Sequence, residues 1–299
     1  MKSSVPAISL VTVTYQSGEV IEPFLKCVDQ QSIPDVHLIV VDNASRDTTL
    51  GVVRARVSGN VHLIENEENR GVATGNNQGI RKSLELGADW ILLINNDTEF
   101  EPDLCARLLQ VARERSCRVV VPAISYCDHP DTMWYSGGDF AWRYGTFQTR
   151  HSEKPLPGRP ELRIVDYAPT CCMLVHRSVF FDVGLMDDAY FVYWDDTDFC
   201  WRLKKRGIPM YLYTGAVLAH KVSKLTGGAR SLFTIRYASR NQVYFMRKHF
   251  PAPFVACCVA VIRMKDVVRR MLGKDTRQEG RVRSAAVTEG LRMPVSRGG

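Results

Sequence analysis

The stretch His37-Leu38-Ile39-Val40-Val41-Asp42-Asn43-Ala44-Ser45 decides the fold. Its apolar run shows no polar alternation, so both faces of the strand must be covered. A strand buried on both faces belongs to a parallel sheet layered between helices. In such sheets ligands settle at the carboxyl ends of the strands. Asp42 stands at that end. Its carboxylate either closes an Asx-turn or accepts hydrogen bonds from a nucleobase N–H or a ribose hydroxyl.

Outward from this strand the pattern repeats. Residues 7–14, 61–64, 90–94 and 119–121 read as further strands, and residues 20–28, 48–57, 76–86 and 102–113 as helices. The expectation is an α/β fold, a Rossmann-like and mostly parallel sheet with helices on both faces. Polar clusters follow three strands: Thr14-Tyr15, Asp42-Asn43-Ala44-Ser45 and Asn95-Asn96-Asp97. Residues 126–165 lose this rhythm and are rich in Gly, Pro, Tyr and Trp, which predicts an irregular excursion with hairpins over a cleft. The pattern resumes with an apolar run at 171–175, helices at 178–183 and up to Arg206, and strands near 210–213 and 216–219.

A chain of 299 residues, 45% of them hydrophobic, can bury one large domain plus an appendage. Its nine cysteines include no CxxC pair and no zinc-like Cys/His spacing, so reduced core cysteines are expected. The first residues lack a basic start followed by an apolar segment, which argues against export. Residues 1–220 carry a net charge of −6 and residues 221–299 a net of +13. This division predicts an acidic body with a basic tail directed at an anionic surface. No recognition helix, zinc finger or RNP-like pattern points to nucleic acid.

Residues 231–249 read as helix, and Pro251 and Pro253 then break the chain. The apolar run 254–262 is about half the ~20 residues needed to span a bilayer. With Arg247, Lys248, Arg263, Lys265, Arg269 and Arg270 beside it, the run reads as an interfacial helix or as a buried core helix. The expected organisation is a catalytic domain over 1–225, a basic helical extension over 226–273 that associates with membrane, and a poorly ordered tail over 274–299.

Four segments carry the chemistry. Asn69-Arg70-Gly71-Val72-Ala73-Thr74-Gly75-Asn76-Asn77-Gln78-Gly79 opens a helix, and its small residues let backbone approach a ligand or pack tightly. Free N–H groups at such a helix start favour phosphate. The segment is neither a Walker loop nor GxGxxG. Asn95-Asn96-Asp97 ends a strand with oxygen ligands suited to a hard divalent cation. Tyr193-Trp194-Asp195-Asp196-Thr197-Asp198 crowds three carboxylates between aromatic residues. Crowded carboxylates raise one another's pKa, which suits a general base, although such residues also cap helices. His220 ends the apolar run 216–219, either as a structural residue or as a metal partner for Asp97.

In this order the segments resemble the family-2 glycosyltransferases over about residues 7–225. They are most similar to the bacterial rhamnosyltransferase and galactofuranosyltransferase branch, where a Trp-Asp-Asp-x-Asp cluster and a downstream His recur. The resemblance implies the GT-A fold. It implies that Thr14, Tyr15, Asp42, Asn43, Arg70, Gly71, Ala73, Asn76, Asn77, Asn95 and Asn96 lie at the donor nucleotide. It places a divalent metal, Mg²⁺ or Mn²⁺, on Asp97 and His220. Asn95 replaces the first carboxylate of the family's DxD motif, so Asp97 with His220 must suffice. The resemblance points to Asp196 as base and to Tyr193, Trp194 and Asp195 at the acceptor, with Asp195 the alternative base and Asp198 a helix cap.

The implied reaction is inverting transfer of rhamnose or a similar sugar. The donor would be a dTDP- or UDP-sugar and the acceptor a glycan or lipid-linked hydroxyl in cell-surface polysaccharide synthesis. The implied location is cytoplasmic, peripheral on the inner face of the membrane. Two other readings make different demands. A sugar-nucleotide nucleotidyltransferase wants a basic Gly-rich loop after the first strand, and Thr14-Tyr15-Gln16-Ser17-Gly18 lacks one. A non-catalytic carbohydrate-binding protein of this fold has no need of all three aspartates.

Overall fold

The computed structural model describes residues 8–143, 146–221 and 230–295. In the first part of the chain, β1 (Ile8–Thr14), β2 (Val36–Asp42), β3 (Val61–Glu65) and β4 (Trp90–Ile94) run parallel. Helices α1 (Ile21–Asp29), α2 (Thr49–Arg54) and α3 (Gly71–Glu85) connect them. Next come β5 (Thr98–Phe100), α4 (Leu104–Glu114), β6 (Val119–Tyr126), β7 (Met133–Tyr135), β8 (Gly138–Arg143), β9 (Thr146–His151) and β10 (Leu162–Val165). Then follow β11 (Cys172–His176), α5 (Arg177–Val183), α6 (Asp195–Lys205) and β12 (Met210–His220).

The main sheet has the order β10-β12-β6-β11-β4-β1-β2-β3. β11 runs antiparallel between β4 and β6, and β10 runs antiparallel at the edge. The other six strands of this path share one direction, so the sheet is mixed but mostly parallel. This is the expected architecture, with helices packed on it. The two strands expected near 210–213 and 216–219 are one strand, β12, irregular between Tyr213 and Val217. Thr14, Asp42 and Asn95 stand at the carboxyl ends of β1, β2 and β4, as the reading of the sheet requires.

α3 begins at Gly71 rather than near 76, and its glycines serve packing. A Cβ on Gly75 would lie 2.7 Å from Val13, and one on Gly79 would overlap Val11. Helix and strand therefore touch where ligand approach was expected. Gly79→Val should lower stability by about 1–3 kcal/mol, the usual range for overpacking a filled core. An unchanged urea midpoint would refute this account of the helix–strand contact.

By its internal contacts the chain divides into two units: 1–139, 150–191 and 195–222 form the first, and 140–149, 192–194 and 223–299 the second. The second unit contains α7 (Leu232–His249), α8 (Ala252–Met271) and α9 (Arg277–Arg292). It thus takes in residues 140–149 and 192–194, which the sequence reading left with the catalytic body. Pro253 does not break the chain but lies in the first turn of α8, where a missing N–H costs nothing.

The tail expected to be poorly ordered is instead α9 up to Arg292. A capping box starts it: Glu279 N–H donates to Thr276 Oγ1 at 3.1 Å, and Thr276 N–H donates to Glu279 Oε2 at 2.6 Å. Ala286, Val287 and Gly290 are buried, and a Cβ on Gly290 would overlap the Arg240 carbonyl of α7. Glu289 pairs with Arg236 at 3.3 Å and Arg240 at 3.4 Å. The segment is basic by composition yet keeps a continuous buried stripe, which the net charge hid.

Candidate active site

The carboxylates at the start of α6 have three different environments. Asp198 is fully buried and accepts from Arg202 Nε at 2.8 Å, one helical turn on. The expected cap is therefore half of a buried ion pair. Asp196 is half-buried and held at both oxygens. Tyr167 Oη donates to its Oδ2 at 2.8 Å, and Thr197 donates to Oδ1 through N at 2.6 Å and Oγ1 at 3.2 Å. Burial raises its pKa, while those hydrogen bonds pull it back. Asp195 is buried, and burial together with the Asp196 charge raises its pKa to about 8. The two carboxyl groups titrate as a pair, with Asp195 the one that retains a proton.

That shift has a consequence for stability. An unfolded Asp ionises near pH 4, whereas folded Asp195 does so near pH 8. The folded chain therefore binds an extra proton across this window, and its stability falls as pH rises from about 4 to about 8. Asp195→Asn should remove the fall, so the thermal midpoint of the variant gains on the parent with rising pH. Parallel pH profiles for the two proteins would argue against it.

Asp97 and His220 meet as the sequence predicted. β12 pairs with β5, setting His220 opposite Thr98, and with β6, setting it opposite Tyr126. His220 Nε2 lies 3.2 Å from Asp97 Oδ1, with both side chains largely buried. Burial lowers the imidazole pKa, but Cys171 and Asp97 beside it raise it further, to about 11. Among the described residues no group of three or more His, Cys, Asp or Glu is arranged around a cation. A divalent ion would take the place of the imidazolium proton, since a metal-bound imidazole is neutral. Asp97 Oδ1 is buried and has no hydrogen-bond partner among the described residues beyond its approach to His220. Two ligands ~2.1 Å from one ion at right angles are separated by about 3 Å. The remaining positions would fall to diphosphate oxygens and water.

Residues to which the sequence assigned no role lie around this pair and around Asp196. Trp134 lies edge-on to His220 with centroids 4.9 Å apart, and tilted on His151 at 5.6 Å. The His151 charge acts on Asp196 and lowers its pKa. The stretch that carries Tyr167 continues to Cys171, whose carbonyl accepts from Asn95 N–H at 2.9 Å. The aromatic richness of 126–165 was a signal for Trp134, while Tyr167 and Cys171 lie beyond that stretch. Their contacts are long-range and follow from strand pairing.

The expected nucleotide residues are largely occupied with one another. Thr14 Oγ1 donates to Asp42 Oδ1 at 2.8 Å, and Ser45 N–H donates to Oδ2 at 2.8 Å. The Asp42 carboxylate therefore turns back onto its own loop, although onto the backbone three residues on and not two as in an Asx-turn. Asn43 donates to the Gly71 carbonyl at 3.2 Å and accepts from Asn66 at 2.9 Å. Asn96 donates to the Val13 carbonyl at 2.8 Å.

Asn77 lies away from this role: its amide holds Met186 at 2.8 Å and 2.9 Å and Asp188 at 2.6 Å. Asn76 contacts the Met186 sulfur at 3.6 Å, and Ala73 is in the core. Gly71 has φ +81°, and a Cβ there would overlap the Phe191 backbone. At the α3 N-terminus, Gly71 N–H donates to Asn69 Oδ1 at 3.0 Å and Val72 N–H to the Phe191 carbonyl at 2.7 Å. Protein acceptors thus take the first two N–H groups expected for phosphate. Tyr15, 44% exposed, and the exposed Arg70, without an ion-pair partner among the described residues, stand beside these interlocked loops. The Asn95 side chain is half-exposed.

Tyr193 and Trp194 belong to the second unit. Both have left-handed backbone, φ +64° and +70°, which is strained for aromatic residues. Buried Asn241 of α7 holds this turn by donating to the carbonyls of Val192 at 2.8 Å and Tyr193 at 2.9 Å. Tyr193 Oη lies 3.0 Å from Thr234 Oγ1, and the Trp194 ring lies 5.3 Å from that of Phe245. These aromatic side chains, expected as sugar platforms, are partly packed against their own unit.

Residues 9–184 match the family model described as glycosyl transferase family 2. The chain is 27% identical over 205 residues to a low-salt glycan biosynthesis hexosyltransferase of Haloferax volcanii, covering 67% of this chain and 62% of that protein. It therefore spans less than two thirds of that relative. It is 29% identical over 239 residues to the N-acetylglucosaminyl-diphospho-decaprenol L-rhamnosyltransferase of Mycobacterium tuberculosis, covering 72% of this chain and 76% of that one. Among solved structures, the mannosyltransferase of Pyrobaculum calidifontis in complex with GDP-Man and Mn²⁺ superposes with TM-score 0.58 at 15% identity, over 96% of this chain and 87% of that one.

Proposed function

We propose that this chain, which belongs to glycosyl transferase family 2, transfers rhamnose or a similar sugar, with inversion, from a dTDP- or UDP-sugar to a lipid-linked or glycan hydroxyl. Glycosyl transfer on a GT-A fold is the established part; sugar, acceptor and residue roles are the proposal. The observations that carry it are the Asp97–His220 pair beside Cys171 and the Asp196 carboxylate held by Tyr167, both within the first unit.

The donor nucleotide lies at the carboxyl ends of β1 and β2, walled by the Thr14–Asp42 pair. Tyr15 offers a ring to the base, and Arg70 meets the diphosphate. Asp97 and His220 would hold a divalent cation, which would supply positive charge to the leaving diphosphate. Asp196 accepts the proton of the acceptor hydroxyl as that oxygen attacks C1. The bond from C1 to the diphosphate oxygen breaks on the opposite face, and the electron pair leaves with the diphosphate. Tyr167 and Thr197 fix the carboxylate, and Asp195 stays protonated beside it. The diphospho-decaprenol in the name of the Mycobacterium tuberculosis relative supports a lipid-linked acceptor, and the GDP-Man of the structural neighbour supports a sugar nucleotide; we place the reaction at the cytoplasmic face of the membrane.

Product analysis with a panel of dTDP- and UDP-sugars on lipid-linked acceptors tests this reading, with the anomeric configuration read by NMR. Retention of configuration, or nucleotidyl transfer in place of sugar transfer, would overturn it. Tyr167→Phe removes a donor that favours the charged form of Asp196, so the base pKa rises. The acid limb of the kcat/KM profile should move to higher pH, with a loss of roughly 10-fold near neutrality. A scaled-down profile with an unmoved limb would make Tyr167 merely structural.

A further inference from the structure

The second unit presents an apolar face that none of its described residues covers. Val255, Cys258, Val259 and Ile262 of α8 are buried within the unit. The apolar run expected to meet a membrane is thus partly core. On the opposite side Met264, Val267, Val268, Met271 and Leu272 are exposed, Met264 by 61% and Met271 by 80%. Their spacing of three and four residues draws one stripe along the helix. At its other end half-exposed Trp142 packs edge-on against Phe254, centroids 4.4 Å apart. Helical periodicity sets Arg263 and Arg270 along one edge of this stripe and Lys265 and Arg269 along the other.

Of the four acidic residues of 221–299, Asp266 and Asp275 pair with Arg283, Glu279 with Arg230, and Glu289 with Arg236 and Arg240. Asp275 also reaches Arg269 at 3.6 Å, so one carboxylate stands against the four basic residues that flank the stripe, whose edges keep a net positive charge. A cavity of about 830 Å³ next to α8 is lined by Arg270, Arg281 and Arg292 with Ser284 and Thr288, against one carboxylate, Glu289, so its lining is net basic.

We infer that the exposed stripe of α8 lies in the plane of an anionic lipid surface, with its apolar side chains among the acyl chains and its basic edges at the phosphates. Apolar area and basic flanks act together in this binding mode. A second copy of the chain is a poorer occupant, because a self-complementary contact along the stripe would set basic edge against basic edge. Among the described residues no helix is long and apolar enough to cross a membrane. The inference deepens the membrane part of the proposed function, and it is read without any sugar transfer.

The test is flotation of the full chain with phosphatidylglycerol vesicles and with phosphatidylcholine vesicles, at low and high salt. Binding should require the anionic lipid and weaken with salt. The combined variant Met264→Glu, Val268→Glu and Met271→Glu changes only exposed positions. It should lose at least about 10-fold in vesicle affinity while donor hydrolysis and helix content stay unchanged. In the otherwise unaltered chain, Met271→Trp should shift indole emission to the blue on anionic vesicles alone. The inference is overturned if the parent chain stays with the unbound fraction, or if the triple variant floats as the parent does. A parent that is a dimer by sedimentation, dispersed by the triple change and indifferent to vesicles, assigns the stripe to a second copy instead. Loss of flotation with intact transfer to a soluble acceptor would leave the catalytic reading standing.

Discussion

Asp196→Asn is expected to lower turnover by roughly 10²–10⁴-fold, the usual contribution of a positioned general base, with donor binding little changed. The substitution preserves the side-chain shape, including an oxygen that can accept from Tyr167, and removes the site that takes the proton. Three carboxylates compete for this role. Asp198 is excluded by its fully buried pairing with Arg202. Asp195 is buried, and its pKa of about 8 keeps it protonated at neutral pH. Asp196 is half-buried, and Tyr167 and Thr197 orient it at both oxygens. Steady-state kinetics of both Asn variants with a fixed donor decides the matter. Near-normal turnover in Asp196→Asn together with an inactive Asp195→Asn would move the base by one residue.

Stripping divalent metal should lower transfer by roughly 10²–10³-fold, because Lewis-acid neutralisation of a leaving diphosphate amounts to several kcal/mol. Asp97→Ala should do the same and resist rescue by added Mn²⁺ or Mg²⁺. His220→Ala should weaken metal dependence in a graded way, visible as a higher metal concentration for half-maximal rate. The motive is the 3.2 Å approach of Asp97 Oδ1 to His220 Nε2, with that carboxylate oxygen otherwise without a hydrogen bond. With Asn95 in place of a second carboxylate, affinity for metal alone should be low and should rise with bound nucleotide. Calorimetric titration with Mn²⁺ in the presence and absence of a nucleoside diphosphate measures this directly. Full activity of a metal-free preparation in excess chelator would remove the cation from the reaction.

The sheet and its polar end were legible in the sequence because local rules govern them. An unalternating apolar run has only one stable environment, and β-α repetition dictates how the runs pair. Residues 37–45 therefore carried the architecture, and the order of the motifs carried the family resemblance. Asp97 and His220 could be paired in advance because each ends a strand at the same side of that sheet. The site's interior was not legible. Whether Asp42 faces a ligand or Ser45, and whether Gly79 admits a phosphate or the Val11 side chain, depends on what lies within a few ångströms across the fold. No periodicity encodes that distance. Tyr167 reaches Asp196 across 29 residues of chain, and only strand pairing brings them together.

The C-terminal segment divides in the same way. Charge and apolar content announced a basic, membrane-like helix. Which face of α8 turns outward, and that α9 folds at all, was decided by packing: α9 buries Val287 and Gly290 and neutralises Glu289 with arginines of α7. Composition counts residues regardless of where they point. Tertiary structure assigns each apolar side chain to a core or a surface, because desolvation and hydrogen-bond satisfaction act on contacts and not on sequence neighbours.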